Sequence, residues 1–67
     1  MSLYEELPDD LLAGFFMEIS KNIKKGILSE AMYYEIGLIK KAANKRGLSE
    51  MNLRAIYLRT YKVNISP

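Results

Sequence analysis

The chain has 67 residues, 49% of them hydrophobic, and carries a formal net charge of +2 at pH 7. A chain of this length forms a single domain with a small core. It contains no cysteine and no histidine, which excludes disulfides, thiol nucleophiles, imidazole bases and the common zinc sites. It also lacks a glycine-rich phosphate loop and a base that would activate a serine. We therefore expect a protein that is not an enzyme and needs no cofactor or metal.

The first predicted helix extends from about residue 8 to residue 25. Pro8 suits the first helical position, and the two aspartates that follow it suit the first turn. Apolar residues then recur at steps of three and four, as on one buried face: Leu12, Phe15, Phe16, Ile19 and Ile23. Gly14 interrupts this helix, as Gly37 interrupts the next, at a cost of about 1 kcal/mol each relative to alanine. Either the two helices cross closely at these glycines, or the helices simply tolerate them.

The second and third predicted helices extend over about residues 30–46 and 50–61. The tail, residues 62–67, is expected to be irregular. The fold class expected is therefore all-α, a three-helix small domain made of a helical hairpin plus a short third helix. Nothing in the sequence indicates a second domain, so residues 1–67 form one unit.

Each of these helices follows the same junction pattern, which reads as a helix stop and a helix start. A basic pair precedes Gly26 and Gly47, and Leu-Ser-Glu follows each glycine within a few residues. The glycine would end one helix in a left-handed conformation, and the serine would cap the next. The leucine before each serine predicts a hydrophobic staple with a residue five positions later: Leu28 with Tyr33, and Leu48 with Leu53.

The second helix is apolar on most of its circumference, which indicates that it is covered on more than one side. The third helix would cover one side, and a protein partner or a second copy of the chain would cover another. We expect a protein interface, and self-association into a homo-oligomer, through residues of the first two helices: Phe15, Phe16, Tyr33, Tyr34 and Leu38. Such residues beside an apolar stripe belong either to the core or to an interface.

Charge is distributed unevenly along the chain. Residues 1–20 hold five acids and no base, whereas residues 21–67 hold all ten bases and three acids. The acids suit helix starts, and the bases either complement helix ends or form a face for nucleic acid or an acidic partner. The acidic N-terminal sequence is unlike a signal peptide, and no apolar run is long enough for a membrane span. We therefore expect a cytoplasmic protein without a membrane partner.

Residues 39–58 resemble the helix-turn-helix of phage-type repressors. The positions that match its small, glycine and aliphatic residues are Ala43, Gly47, Leu48, Leu53 and Ile56. Arg46 departs from the pattern, because an aliphatic residue normally packs there. The resemblance implies DNA binding through residues 49–59, with base-edge and phosphate contacts. The candidate nucleic-acid residues are Glu50, Asn52, Arg54, Arg59 and Lys62.

Residues 7–49 resemble the Sda family of helical-hairpin inhibitors of sporulation histidine kinases. The matching segments are Leu7-Pro8-Asp9-Asp10-Leu11-Leu12, Phe16-Met17 and Lys45-Arg46-Gly47-Leu48. Met17 replaces the second aromatic residue of that family, and this chain is longer between the matched ends and adds a third helix. Residues 23–30 are also similar to SHOCT-type short helical modules, which mediate oligomerisation or interaction. The first resemblance implies a protein-binding regulator, and the second implies an oligomerisation or interaction element.

The sequence thus favours a small non-enzymatic regulatory protein that binds a protein partner through an apolar surface of the hairpin. Inhibition and activation both stay open. The alternative is a small helix-turn-helix regulator that binds DNA, and a third interpretation is a structural fragment of a larger assembly.

Overall fold

The computed structural model describes residues 3–26 and 29–61. They form a short 3-10 helix, Leu3–Glu6, and three α-helices: α1 (Asp9–Lys24), α2 (Glu30–Lys45) and α3 (Glu50–Tyr61). The described ranges contain no strand, so the prediction of an all-α three-helix domain is confirmed. The 3-10 helix was not predicted, and we call it the strap. The expected irregular tail 62–67, with Lys62, and Leu28 of the first staple lie outside the described residues.

The turn between α2 and α3 has the stop chemistry that the sequence predicts. The N–H of Leu48 donates to the carbonyl of Ala43 at 2.9 Å, and the N–H of Gly47 donates to the carbonyl of Asn44 at 3.0 Å. These two bonds define a Schellman motif. Gly47 has a φ of 78°, and Gly26 at the end of α1 has a φ of 86°, which glycine adopts without a steric penalty.

The two serine caps are also confirmed. Ser29 accepts a hydrogen bond from the N–H of Met32, and Ser49 accepts one from the N–H of Asn52, both at 3.1 Å. Leu48 packs against the buried cluster that contains the third helix's core leucine, as the staple requires. The connection from α2 to α3 is therefore short and fixed at both ends.

The core lies around α1, which packs against both α2 and α3, whereas α2 and α3 have little contact with each other. Among the described residues the buried hydrophobic side chains are Leu12, Ala13, Phe16, Ile39, Ala42, Ala43 and Leu53. Three of them are alanines, which let helix backbones approach but bury little apolar surface. A core of this size gives only marginal stability to a single copy.

The two helix glycines do not face each other. A β-carbon added at Gly14 would lie 3.3 Å from the Tyr61 hydroxyl, whereas one at Gly37 would have nothing within 4 Å. Gly14 therefore serves the contact between α1 and α3, and Gly37 is exposed. The interpretation that both glycines mark a close crossing of the first two helices is wrong, because the helix that approaches Gly14 is the third.

Candidate protein-interaction surface

Arg46 fixes the strap to the rest of the fold. One guanidinium nitrogen, Nη1, donates to the carboxylate of Asp9 at 2.7 Å. The other, Nη2, donates to the main-chain carbonyls of Tyr4 at 3.1 Å and Glu5 at 3.2 Å. The planar guanidinium supplies several donors in a fixed arrangement, so one side chain holds both the strap and the start of α1. Arg46 occupies the position at which the repressor pattern has an aliphatic residue. In this chain its side chain instead donates hydrogen bonds to the strap.

Two side chains of the strap reach α2. The Tyr4 hydroxyl donates to the carboxylate of Glu35, and the Lys45 ammonium donates to the carboxylate of Glu5 at 3.1 Å. Burial, and then the Glu35 carboxylate, raise the pKa of Tyr4 to about 12. The hydrogen bond from Lys45 lowers the pKa of Glu5. The strap is thus held by polar contacts along its length, and Tyr4 is fixed in place.

The contact of Tyr4 with Phe15 links two grooves, of which one is apolar and the other has a mixed polar and apolar lining. The ring of Tyr4 meets Phe15 of α1 edge to face, with ring centroids 5.9 Å apart. On the α1 side, the groove between α1 and α3 is lined by Leu11, Gly14, Phe15, Glu18, Tyr57 and Tyr61. On the α2 side, the groove between the strap and α2 is lined by Leu3, Tyr4, Glu5, Tyr34, Glu35, Leu38 and Lys41. We call the surface formed by these two grooves the aromatic band.

The aromatic band exposes large apolar side chains to solvent. Phe15 is 46% exposed, Tyr34 is 66% exposed and Leu3 is 74% exposed. Tyr61 is also exposed, but its position is fixed, because its hydroxyl donates to the main-chain carbonyl of Asp10 at 3.1 Å. Its ring also lies beside Tyr57, with centroids 5.2 Å apart. Exposed aromatic and aliphatic side chains grouped in this way are typical of an interaction site.

The five interface residues expected from the sequence fall into three places. Phe15, Tyr34 and Leu38 line the aromatic band. Phe16 is only 6% exposed and belongs to the core, so it does not contribute to the surface. Tyr33 is exposed but lines neither groove of the band, because its neighbour in sequence, Tyr34, points to a different side of α2.

Several residues of the band were missed at the level of sequence. Tyr57 and Tyr61 are four residues apart and share one side of α3, which the spacing alone would have indicated. Leu11 precedes the buried Leu12 and sits beside Phe15 by the same rule. The contribution of the strap had no such signal, because it depends on the contact of Arg46 with a segment about forty residues earlier.

The nucleic-acid candidates all lie on α3 and are exposed, apart from Lys62, which is outside the described residues. The side-chain oxygen of Asn52 accepts from the N–H of Ser49 at 2.9 Å and from its hydroxyl at 3.0 Å, so this oxygen belongs to the helix cap. Glu50 pairs with Lys40 at 3.2 Å. Arg54 and Arg59 form no ion pair with any residue that the structure describes.

Within residues 3–26 and 29–61, no cluster of acidic or other ligand side chains is arranged to hold a metal ion. No helix in these ranges has the length and apolar character needed to cross a membrane. Neither a family model, nor a curated protein, nor a solved structure matches the chain.

Proposed function

We propose that this chain is a non-enzymatic regulatory protein that binds a partner protein through the aromatic band. The observation that carries the proposal is the contact between Tyr4 and Phe15, which links the apolar groove between α1 and α3 to the mixed groove between the strap and α2. Exposed apolar surfaces of this kind mark interaction sites on small proteins. Aromatic side chains that are fixed before binding lose little conformational entropy on association, which favours this surface as a docking site.

The shape and chemistry of the band favour an amphipathic helix as its ligand. Grooves between packed helices accept apolar side chains that recur at three- and four-residue steps on a partner helix. Charged side chains also line the grooves, Glu18 at the first and Glu5, Glu35 and Lys41 at the second. Tyr34, which is 66% exposed, carries a hydroxyl that the polar groups of a partner can reach, as tyrosines at interfaces commonly do. Binding would bury the apolar stripe of the partner helix. That stripe could then make no contact with other molecules, and this is how binding would regulate the partner.

Two adjacent tyrosines provide a matched test. A photoreactive amino acid at position 34, or at position 33 as the control, would be introduced in the native cell to crosslink and identify the partner. Binding of that purified partner would then be measured for Tyr34→Ala, Phe15→Ala and Tyr33→Ala. We expect the first two to weaken binding about thirtyfold, as buried aromatic anchors do, and Tyr33→Ala to change it little. Equal loss in all three variants would contradict the proposal.

DNA binding through α3 is the second candidate function. It is supported by the exposed Arg54 and Arg59, and by a short turn between α2 and α3 with Gly47 at its centre. It is weakened by the acidic Glu50 in the first turn of α3 and by the use of the Asn52 oxygen in the cap. The salt dependence of duplex binding tests this candidate, as argued in the Discussion.

A further inference from the structure

A cleft separate from the aromatic band lies between the end of α1 and the start of α3. It shares no lining residue with the band. Its volume is about 290 Å³. Met17 and Met51 line it together with the edge of the buried Phe16, and Lys21, Lys24 and Arg54 stand at its rim. The cleft thus combines an apolar floor with a basic border.

The charges at this rim are not neutralised within the described chain. Lys21 pairs with Glu18 at 3.6 Å, but both side chains are more than half exposed, so the pair is weak. Lys24 and Arg54 form no ion pair with any described residue. The only acid that lines the cleft is Glu50, and it already faces Lys40. A ligand that brings carboxylates would therefore find three basic side chains close together.

The apolar side chains that line the cleft distinguish between kinds of anionic ligand. Met51 is 80% exposed, and a methionine side chain is flexible enough to close over an apolar group. A nucleic-acid backbone would offer phosphates to the basic rim but leave the methionines without a partner. An acidic segment that also carries a large apolar side chain satisfies both the floor and the rim.

We infer that this cleft binds an acidic amphipathic helical segment of a partner protein, with an apolar side chain on Met17 and Met51 and carboxylates on Lys21, Lys24 and Arg54. This site goes beyond the proposed function of the aromatic band. With two separate surfaces, the protein would engage two partners, or two segments of one partner, at the same time. When the two surfaces bind linked segments of one partner, the second binding event is intramolecular. The overall affinity then exceeds the affinity of either surface alone.

The test uses a fluorescent synthetic helix with leucines on one face and glutamates on its flanks, and measures binding to the full chain by anisotropy. Control peptides carry glutamine for glutamate, or serine for leucine. Arg54→Glu should weaken binding of the acidic peptide about tenfold, which corresponds to the loss and reversal of one rim contact. Met51→Ser should also weaken it. Arg59→Glu makes the same charge change on α3, at a residue that lines neither the cleft nor the aromatic band, and should leave binding within about twofold.

The outcomes separate the occupants. Binding that needs both glutamates and leucines, is reduced by salt and is weakened about tenfold in Arg54→Glu supports the inference. Weakening by Phe15→Ala in place of Arg54→Glu would locate the peptide on the aromatic band and overturns it. Equal binding to Arg54→Glu and Arg59→Glu overturns it. Tighter binding of a DNA duplex than of the peptide, again lost in Arg54→Glu, overturns it in favour of nucleic acid. Self-association that Arg54→Glu abolishes, with no peptide binding, overturns it in favour of a second copy. All four substituted side chains are exposed, and circular dichroism checks that each variant is folded.

Discussion

The guanidinium of Arg46 lies 2.7 Å from the carboxylate of Asp9 and joins the end of α2 to the start of α1. Asp9 is in the first turn of α1, and Arg46 is the residue at which α2 ends. The helix dipole favours a negative charge in the first turn of a helix, where Asp9 lies, and a positive charge at the end of a helix, where Arg46 lies. Both charges are therefore favoured where they stand, and the same guanidinium extends the contact to the strap that carries Tyr4.

Replacing Arg46 with leucine, the kind of residue that the repressor pattern has there, should destabilise the fold by about 1–3 kcal/mol. The reason is that Asp9 and two strap carbonyls lose their donor. Chemical denaturation followed by circular dichroism measures the change. Lys45→Met, which removes the exposed ion pair with Glu5, is the control and should cost less than about 1 kcal/mol. Equal effects would show that Arg46 does not hold the strap.

The hydroxyl of Tyr4 predicts a specific loss of stability at high pH. Its pKa rises from the ordinary value of 10.0 to about 12 in the folded chain, so folding favours the protonated form. This contribution is fully present below about pH 10 and is lost as the pH rises from 10 to 12. Denaturation midpoints measured over this range should fall less steeply for Tyr4→Phe than for the wild type. Tyr33→Phe, on the exposed side of α2, should retain the wild-type slope; if it loses the same steepness, Tyr4 is not the group responsible.

The sequence predicted the helices and their junctions because these depend on neighbouring residues. Gly47 ends α2, Ser49 caps α3, and apolar spacing places Leu12 and Leu53 in the core. The aromatic band was predicted only in part, since spacing along one helix cannot tell Phe15 from Phe16 when α1 is covered on two sides. The strap was not predicted, because it depends on the long reach of Arg46.

The two helix glycines should respond differently to alanine. Gly37→Ala should stabilise the fold by about 0.5–1 kcal/mol, because alanine favours helix and the added methyl group meets nothing within 4 Å. Gly14→Ala gains the same propensity but brings its methyl group to 3.3 Å from the Tyr61 hydroxyl, so its gain should be smaller or absent. Thermal denaturation of both variants measures the difference. An equal gain would show that Tyr61 does not pack on Gly14 in solution.

Phe15 and Phe16 are adjacent in sequence, and substitutions at the two positions distinguish self-association from core stability. The core is small, so we expect a second copy to cover part of the exposed aromatic band when no other partner is present. The thermal midpoint should then rise with protein concentration. Phe15→Ala should abolish this dependence at modest cost to the monomer, whereas Phe16→Ala should destabilise the fold by about 3–5 kcal/mol at every concentration. A midpoint independent of concentration, with a monomer by light scattering, would remove self-association through the band.

The salt dependence of duplex affinity distinguishes a DNA-binding function from a protein-binding function. If α3 reads DNA, Arg54→Ala and Arg59→Ala should each lower the salt slope of log affinity by about one unit, as the loss of a phosphate contact does. If α3 does not enter a groove, duplexes should bind weakly and without sequence preference at physiological salt. Arg59 is the decisive residue, because it lies on α3 but does not line the basic cleft, so an acidic peptide should be insensitive to its loss. We expect weak duplex binding and an unchanged peptide affinity in Arg59→Ala. Sequence-specific binding at physiological salt that both arginine substitutions reduce would instead establish the DNA-binding function.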